Sequence, residues 1–520
     1  MQIPIAALLT FAITGGALVQ SGRAQGKTTE TQPEKPTGAL STHDGRFVFG
    51  KEIIRKKGGV VVRYDNGDVF VPDRMIQDVF STSKDFQYEP KNDKERKKLA
   101  RGLVPFQGKW LKPLLAKRRI AEFRKKLAAR LQTQRDRKEW VNHATVETRT
   151  FRFNYNIPDD LFNDLKVLFE VYYKTFTGYW KKKTKLAHKP TINIYADHGD
   201  FSQVSGAKGG IVGYYHPGSN ELHIYWDRTD PEYTIDVLFH ETNHMLVDMI
   251  DGRFNYPHYI EEAMAEYYGA SEWDKKHKKM IIGGIQAARL VEIRADIAKN
   301  KWMPLSQLIG SRGYSSYTWG WSFVHFLMQT KKYSKKWQKL WIDLAHKKSG
   351  IKRISMGGGM KEIEPEEFTR LLLKYTGHKK LATLEKEWHA YVKHLEIGEL
   401  QGMEKAARKL REQGKIAEAR KYFEKAVQLG SKSAVTYGAF ATILRKSSEQ
   451  PRAIVMIDRA IELDPLEAEF YYRKGKILMR SGPTQDKETG AKCLRLAAEM
   501  EPDSWDYAVA AAEADQPDHR

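Results

Sequence analysis

Near its C-terminal end this chain repeats itself, and a repeat restricts a fold more than any single motif does. The segments "AEARKYFEKAVQLG" (417–430), "PRAIVMIDRAIELDP" (451–465) and "TGAKCLRLAAEMEPDS" (489–504) echo one another, with Ala426, Ala460 and Ala497 in register at steps of 34 and 37 residues. The longer second step is absorbed by the loop "GPTQDKET" (482–489). A helix pair of this length cannot bury its apolar face alone. Successive pairs must therefore stack, and the product is an all-α solenoid.

A 34-residue helix-pair period, small residues at the packing points and Asp464-Pro465 after the second helix resemble tetratricopeptide repeats over residues 400–516. The resemblance implies a surface that binds a protein or peptide partner, not a catalyst.

Chemistry is concentrated elsewhere, in "VLFHETNHML" (237–246). Four residues is just over one helical turn, so His240 and His244 share a face. Two imidazoles on one face can hold one Zn²⁺, with Glu241 beside them as a base for a metal-bound water. The alternative is an ordinary buried helix with hydrogen-bonded histidines, since a chain with 16 histidines can produce this five-letter pattern by chance. A third ligand decides between the two. Downstream, "NYPHYIEEAMAEYYGA" (255–270) places Glu262 after His244 with 17 residues between them, and Glu266 one turn further on the same face.

This spacing resembles the gluzincin metallopeptidases, the group of thermolysin and aminopeptidase N. Their HExxH is followed by a helix reading W-L-x-E-G-x-A. Here Tyr259-Ile260-Glu261-Glu262-Ala263-Met264-Ala265 fits that frame, with Tyr for Trp and Ala for Gly. The resemblance implies a Zn²⁺ held by His240, His244 and Glu262, with Glu241 as the catalytic base. It makes Glu266 the carboxylate that fixes the tautomer of His240, and leaves Glu261 a solvated helix carboxylate. In "GYSSYTWGWSFVHFLMQ" (313–329), which reads as a capped, buried aromatic helix, Tyr317-Thr318-Trp319-Gly320 matches the Tyr-x-x-Gly of the aminopeptidase N family. The Tyr317 phenol would then donate to an oxyanion, whereas His325 reads as a core histidine. The alternating stretch "GGIVGYYHPGSNELHIYWD" (209–227) reads as a β-hairpin. Its first strand would pair with the substrate backbone through Gly210, Ile211, Val212 and Gly213. No Gly-Ala-Met-Glu-Asn signature holds a substrate amine, so an endopeptidase is expected over an aminopeptidase.

Residues 1–24 resemble a secretory signal peptide, with Gly22 and Ala24 at a small-x-small cleavage site. No other stretch approaches the ~20 apolar residues of a membrane span. Export to the periplasm or cell exterior is expected, with no transmembrane segment after cleavage. The single cysteine, Cys493, excludes an intramolecular disulfide. Residues 25–44 read as a linker. Residues 45–82 read as a small β module with a type I′ turn at Asn66-Gly67. Residues 86–142 form a basic helical segment, and residues 91–138 hold 18 of the 87 Lys and Arg of a chain with net charge +22. In that segment Ile120, Phe123, Leu127 and Leu131 stand at helical spacing. Such a helix suits an anionic envelope polymer or packing on the body. An exported protein rarely meets nucleic acid, which disfavours that partner.

The expectation is an α+β chain with a gluzincin-like metallopeptidase domain at 148–395, a small sheet and edge strand ahead of an HExxH helical subdomain. The solenoid follows. "GLVPFQGKWL" (102–111) extends the resemblance to exported bacterial proteins that join such a domain to C-terminal tetratricopeptide repeats. The expected function is a zinc-dependent peptidase acting on peptide or protein substrates. The alternative is a catalytically silent scaffold that binds envelope proteins through its repeats.

Overall fold

The structure is a computed structural model that describes residues 38–515, apart from 44–45, 82–89, 91, 107–108, 137–138, 183–188, 229, 252–253, 346–350, 358–359, 448, 482–483 and 503. The expected signal peptide at 1–24 and most of the expected linker lie outside the described residues. The linker boundary is corrected: Gly38–Thr42 is a strand between Phe47–Gly50 and Ile76–Ser81. A second three-stranded sheet, Glu52–Lys56, Gly59–Arg63 and Asp68–Pro72, completes the β module. Period-2 alternation turns Val60, Val62, Val69 and Val71 inward.

The turn at Asn66-Gly67 is not type I′, because that turn needs positive φ at both central residues and neither residue has it. A wider loop forms instead, with the Tyr64 N–H donating to Gly67 O (2.9 Å). The module does not stand alone. Leu40, Val60 and Val71 share a core with Leu466, Tyr471 and Leu496 of the repeats. Arg46 pairs with Asp464 (2.9 Å), and the Asn66 N–H donates to Glu499 (3.2 Å).

The basic segment is not helical throughout. Between the helices Asp93–Ala100 and Pro113–Asp136 lies a short hairpin, Val104–Phe106 paired with Lys109–Leu111. Lys117, Arg118, Arg119, Lys125 and Lys126 are exposed. The side chains of Ile120, Phe123, Leu127 and Leu131, the expected apolar stripe, lie outside the described residues.

The body begins at Ala144. Its five-stranded sheet runs, in spatial order, Gly213–His216, Glu221–Tyr225, Thr191–Tyr195, Arg152–Tyr155 and Ala144–Glu147. The middle three are parallel and both edges are antiparallel. Parallel strands need a crossover, and the helix Asp159–Trp180 supplies it. Phe162, Leu165, Phe169, Tyr172, Phe176 and Trp180 recur at three- to four-residue steps and are all buried. The Tyr172 hydroxyl then donates to Phe239 O (3.1 Å), which ties this layer to the helical half.

The C-terminal part is all helical. It comprises the hairpins Leu400–Glu412/Ile416–Gln428, Ala434–Lys446/Gln450–Leu463 and Ala468–Ser481/Thr484–Met500, then the helix Trp505–Ala514. Ala426, Ala460 and Ala497 are fully buried on the second helix of each hairpin. A larger side chain at these seams would hold the helices apart. The hairpins are continuous with the body: one apolar cluster runs from Phe151 through the first two to Phe470 and Ile477 in the first helix of the third. The chain is therefore α+β with a C-terminal helical-repeat region. Among the described residues no helix is long and apolar enough to cross a membrane.

Candidate metal centre

Two helices build the site. Pro231–Asp251 buries Leu238, Phe239, Met245, Leu246 and Met249 in the body. That anchoring leaves His240 and His244 facing the second helix, His258–Gly269, whose own buried face includes Tyr259, Ile260 and Ala263. Gly269 permits the close approach of the two helices: a Cβ there would lie 3.3 Å from Asp236 O and 3.7 Å from His240 Cβ.

His240 Nε2 lies 3.2 Å from His244 Nε2, and Glu262 Oε2 lies 3.4 Å and 3.6 Å from the two. A tetrahedral ion with ligand bonds of ~2.0–2.1 Å holds its ligand atoms about 3.3 Å apart, so the three atoms already have the spacing of a zinc triad. Among the described residues they form the one cluster of this kind. Glu262 Oε2 is buried, with the two imidazoles as neighbours at 3.4 Å and 3.6 Å but no hydrogen bond of good geometry. An ionised oxygen left that way carries a desolvation cost that a cation would remove.

The same three groups are coupled electrostatically. Burial alone would raise the Glu262 carboxyl, yet the two imidazoles outweigh it and hold the group well below the usual carboxylate range. Burial opposes charge on His244, and Glu262 followed by Glu241 overcomes it, raising the imidazole to about 9. Glu261 is half-buried, not solvated as the sequence suggested, and burial pushes its carboxyl up to about 7.

Glu241 stands on the side of the helix that meets the sheet. Its Oε1 is 4.0 Å from His240 Nε2, and its Oε2 accepts the Tyr215 N–H (2.9 Å). Tyr215 belongs to Gly213–His216, the outer strand of the sheet. Regular pairing starts only at Gly213, so the expected strand is shorter than its sequence pattern. Gly210, with φ +79°, Ile211 and Val212 form its irregular lead-in, although Val212 O still accepts the Tyr225 N–H (3.2 Å).

Tyr317 lies in the helix Ser315–Gln329, where Trp319, Trp321, Phe323 and Phe326 are buried. The expected N-terminal cap is absent: Tyr314 stands at that position and makes no capping side-chain bond. Gly320 explains the placement of Tyr317. A Cβ there would meet Ala263 Cβ at 3.1 Å and Tyr259 O at 3.4 Å, so only glycine lets this helix reach the helix that carries Glu262. The Tyr317 ring then stacks on His240 at 6.0 Å with an 8° tilt. Burial, then the nearby Glu262 charge, holds its phenol protonated well beyond neutral pH. His325 is a core group. Gly283 O accepts its Nε2–H (3.3 Å), its Nδ1 accepts the Tyr391 hydroxyl (2.8 Å), and burial lowers the ring to about 4.

Glu266 is 4% exposed, and its Oε1 lies 3.5 Å from His240 Nδ1, longer than an ordinary hydrogen bond. Its main partner went unseen in the sequence. Arg289, from the helix Ala287–Ala298, donates Nε to Oε2 (2.9 Å) and Nη2 to Oε1 (2.7 Å). Nothing in "ARLVEIR" around Arg289 marks it; only the contact across two helices does.

A cavity of about 440 Å³ opens beside the triad. It runs from His240 and Glu241 past Gly210–Gly213 to Lys405 and Lys409 of the first repeat helix. That helix is anchored to the His240 helix by Lys405–Asp236 (2.8 Å) and Arg408–Glu232 (3.0 Å). The repeats therefore wall the cleft, an arrangement that their sequence did not suggest.

No family model matches the chain, and no curated protein matches it. Among solved structures the chain is similar to the "TPR2AB-domain:pHSP90-complex of yeast Sti1", at 14% identity over 55% of this chain and 98% of that one, with a TM-score of 0.20. A superposition that poor carries no inference, and the repeat architecture rests on the helical hairpins at 400–514 themselves.

Proposed function

We propose that this chain is an exported zinc-dependent peptidase, an endopeptidase of gluzincin type. The observation that carries the reading is the convergence of His240 Nε2, His244 Nε2 and the unbonded Glu262 Oε2 at 3.2–3.6 Å beside a carboxylate that is not part of the set. Zinc held by those three residues would supply an activated water and a Lewis acid for the scissile carbonyl. Glu241 would take a proton from the attacking water and return it to the leaving amine. Tyr317, kept protonated, is the donor for the developing oxyanion. Gly210 to Gly213 offer backbone to an extended substrate at the mouth of the cleft.

The deciding experiment loads wild type and Glu241→Gln with one equivalent of zinc and supplies each with a mixed, unfolded protein pool. Cleavage by wild type alone supports the reading. Equal cleavage by both overturns it.

A second reading is a catalytically silent scaffold whose repeats hold an envelope protein. What favours it is the packing of the first repeat helix over the cleft, with Lys405 and Arg408 already paired. A zinc-loaded protein that ignores a peptide hydroxamate would establish it. In either case the repeats are the surface for a protein partner, and the exposed lysines and arginines of Pro113–Asp136 suit an anionic envelope polymer.

A further inference from the structure

Arg289 joins Glu266, Tyr314 and Tyr317 on one side of the proposed metal ligands. Its Nε and Nη2 grip both oxygens of Glu266 (2.9 Å and 2.7 Å), its Nη1 donates to the Tyr314 hydroxyl (2.6 Å), and its guanidinium lies 5.2 Å from the Tyr314 ring and 5.7 Å from the Tyr317 ring. The Tyr314 hydroxyl passes its own hydrogen to Glu292 (2.9 Å), which fixes the far end of the network. Glu266 Oε1 is shared: it accepts Arg289 Nη2 and faces His240 Nδ1 at 3.5 Å.

A carboxylate is free to rotate about its last torsion. A two-point grip by a planar guanidinium removes that freedom, and no lysine can reproduce it. Once the plane of Glu266 is set, its Oε1 stays opposite His240 Nδ1. Such a partner selects the tautomer in which Nδ1 carries the hydrogen and Nε2 presents its lone pair to the metal position. Among the described residues the hydrogen bonds to the Glu266 carboxylate come from Arg289.

We propose that Arg289 is a positioning residue for the metal centre, aligning His240 through Glu266 with the stacked Tyr314 and Tyr317 rings as its backing. This rests on the metal-centre reading above but not on peptidase activity, and its test reads metal binding.

The test measures zinc affinity by chelator competition, and the visible spectrum of the cobalt(II)-loaded protein, for wild type, Arg289→Met, Arg289→Lys, Glu266→Gln and the double variant Glu266→Gln/Arg289→Met. Arg289→Met should weaken zinc binding roughly 10- to 100-fold and change the cobalt spectrum. Arg289→Lys keeps the charge and the fold, and should lie between the two. If Arg289 acts through Glu266, adding Arg289→Met to Glu266→Gln should cost little more, the non-additivity of two residues in one chain of contacts. Unchanged zinc affinity in Arg289→Met, or losses that simply add in the double variant, would overturn the proposal and leave the metal centre standing. Failure of the wild type to bind zinc would overturn both.

Discussion

In the proposed metal centre, side chains from two helices must meet to within a few tenths of an ångström. In the helical repeats, Ala426, Ala460 and Ala497 need only be small. The centre is specified by a few residues whose chemistry cannot be exchanged, and its buried carboxylates Glu262 and Glu266 are held in place by particular partners. The repeats are specified by a period, and their stability is spread over many similar contacts. A substitution should therefore either abolish function with the fold intact or lower stability with the site intact, according to the region it falls in.

The largest expected effect tests that separation at the centre. Glu241→Gln should lower turnover by about 10²- to 10⁴-fold while zinc stoichiometry stays at wild-type level. The glutamine oxygen can still accept the Tyr215 N–H, so the outer strand should not move. A parallel loss of zinc would show that Glu241 shapes the ligand set and would break the comparison. Next in size is the pH response of the body between the two regions. His325 is held neutral, with its folded value near 4 against an ordinary 6.5. Between those values the unfolded chain binds the extra proton, so stability is full above pH ~6.5 and falls as pH drops, by about 3 kcal/mol near pH 4. Denaturant midpoints for wild type and His325→Phe should converge as the pH is lowered; a constant gap would refute the assignment.

Ala460→Leu overfills a seam of the repeats and should cost about 1–3 kcal/mol in a chemical unfolding curve without changing zinc affinity. A weakened metal site in that variant would mean that the two regions are coupled through the first repeat helix. The smallest effect sets the baseline. Arg459 pairs with Glu462 on an exposed repeat face, at 46% and 64% side-chain exposure. Arg459→Ala should shift the melting midpoint by no more than about 0.5 kcal/mol equivalent.

What the sequence made legible follows the same division. His240 and His244 share a face by helical periodicity alone, whereas Glu262, on the next helix, is singled out over Glu261 only by the resemblance to the gluzincin motif. The repeats were legible because the chain states them three times. Arg289 was not, since its meaning comes from Glu266 on another helix. The alternation of Val60, Val62, Val69 and Val71 showed that one face of the β module is apolar, but nothing local could name Leu466 and Leu496, some 400 residues later, as its cover. Asn66-Gly67 misled for a related reason. The pair favours a tight turn, but the Asn66 amide and side chain are engaged by Glu499 and Arg495 of the repeats, and the loop opens to meet them.

That docking has a bearing on how the solenoid comes apart. A stacked array frays from its last unit, which has a neighbour on one side only. Here the last hairpin, Ala468–Ser481/Thr484–Met500, has the closing helix and also the β module, with Tyr471, Leu496 and Ala497 set into the module's valine face. Its slowest-exchanging amides should be as well protected as those of the first hairpin, and they should lose that protection when Val60 or Val71 is truncated at the opposite end of the sequence.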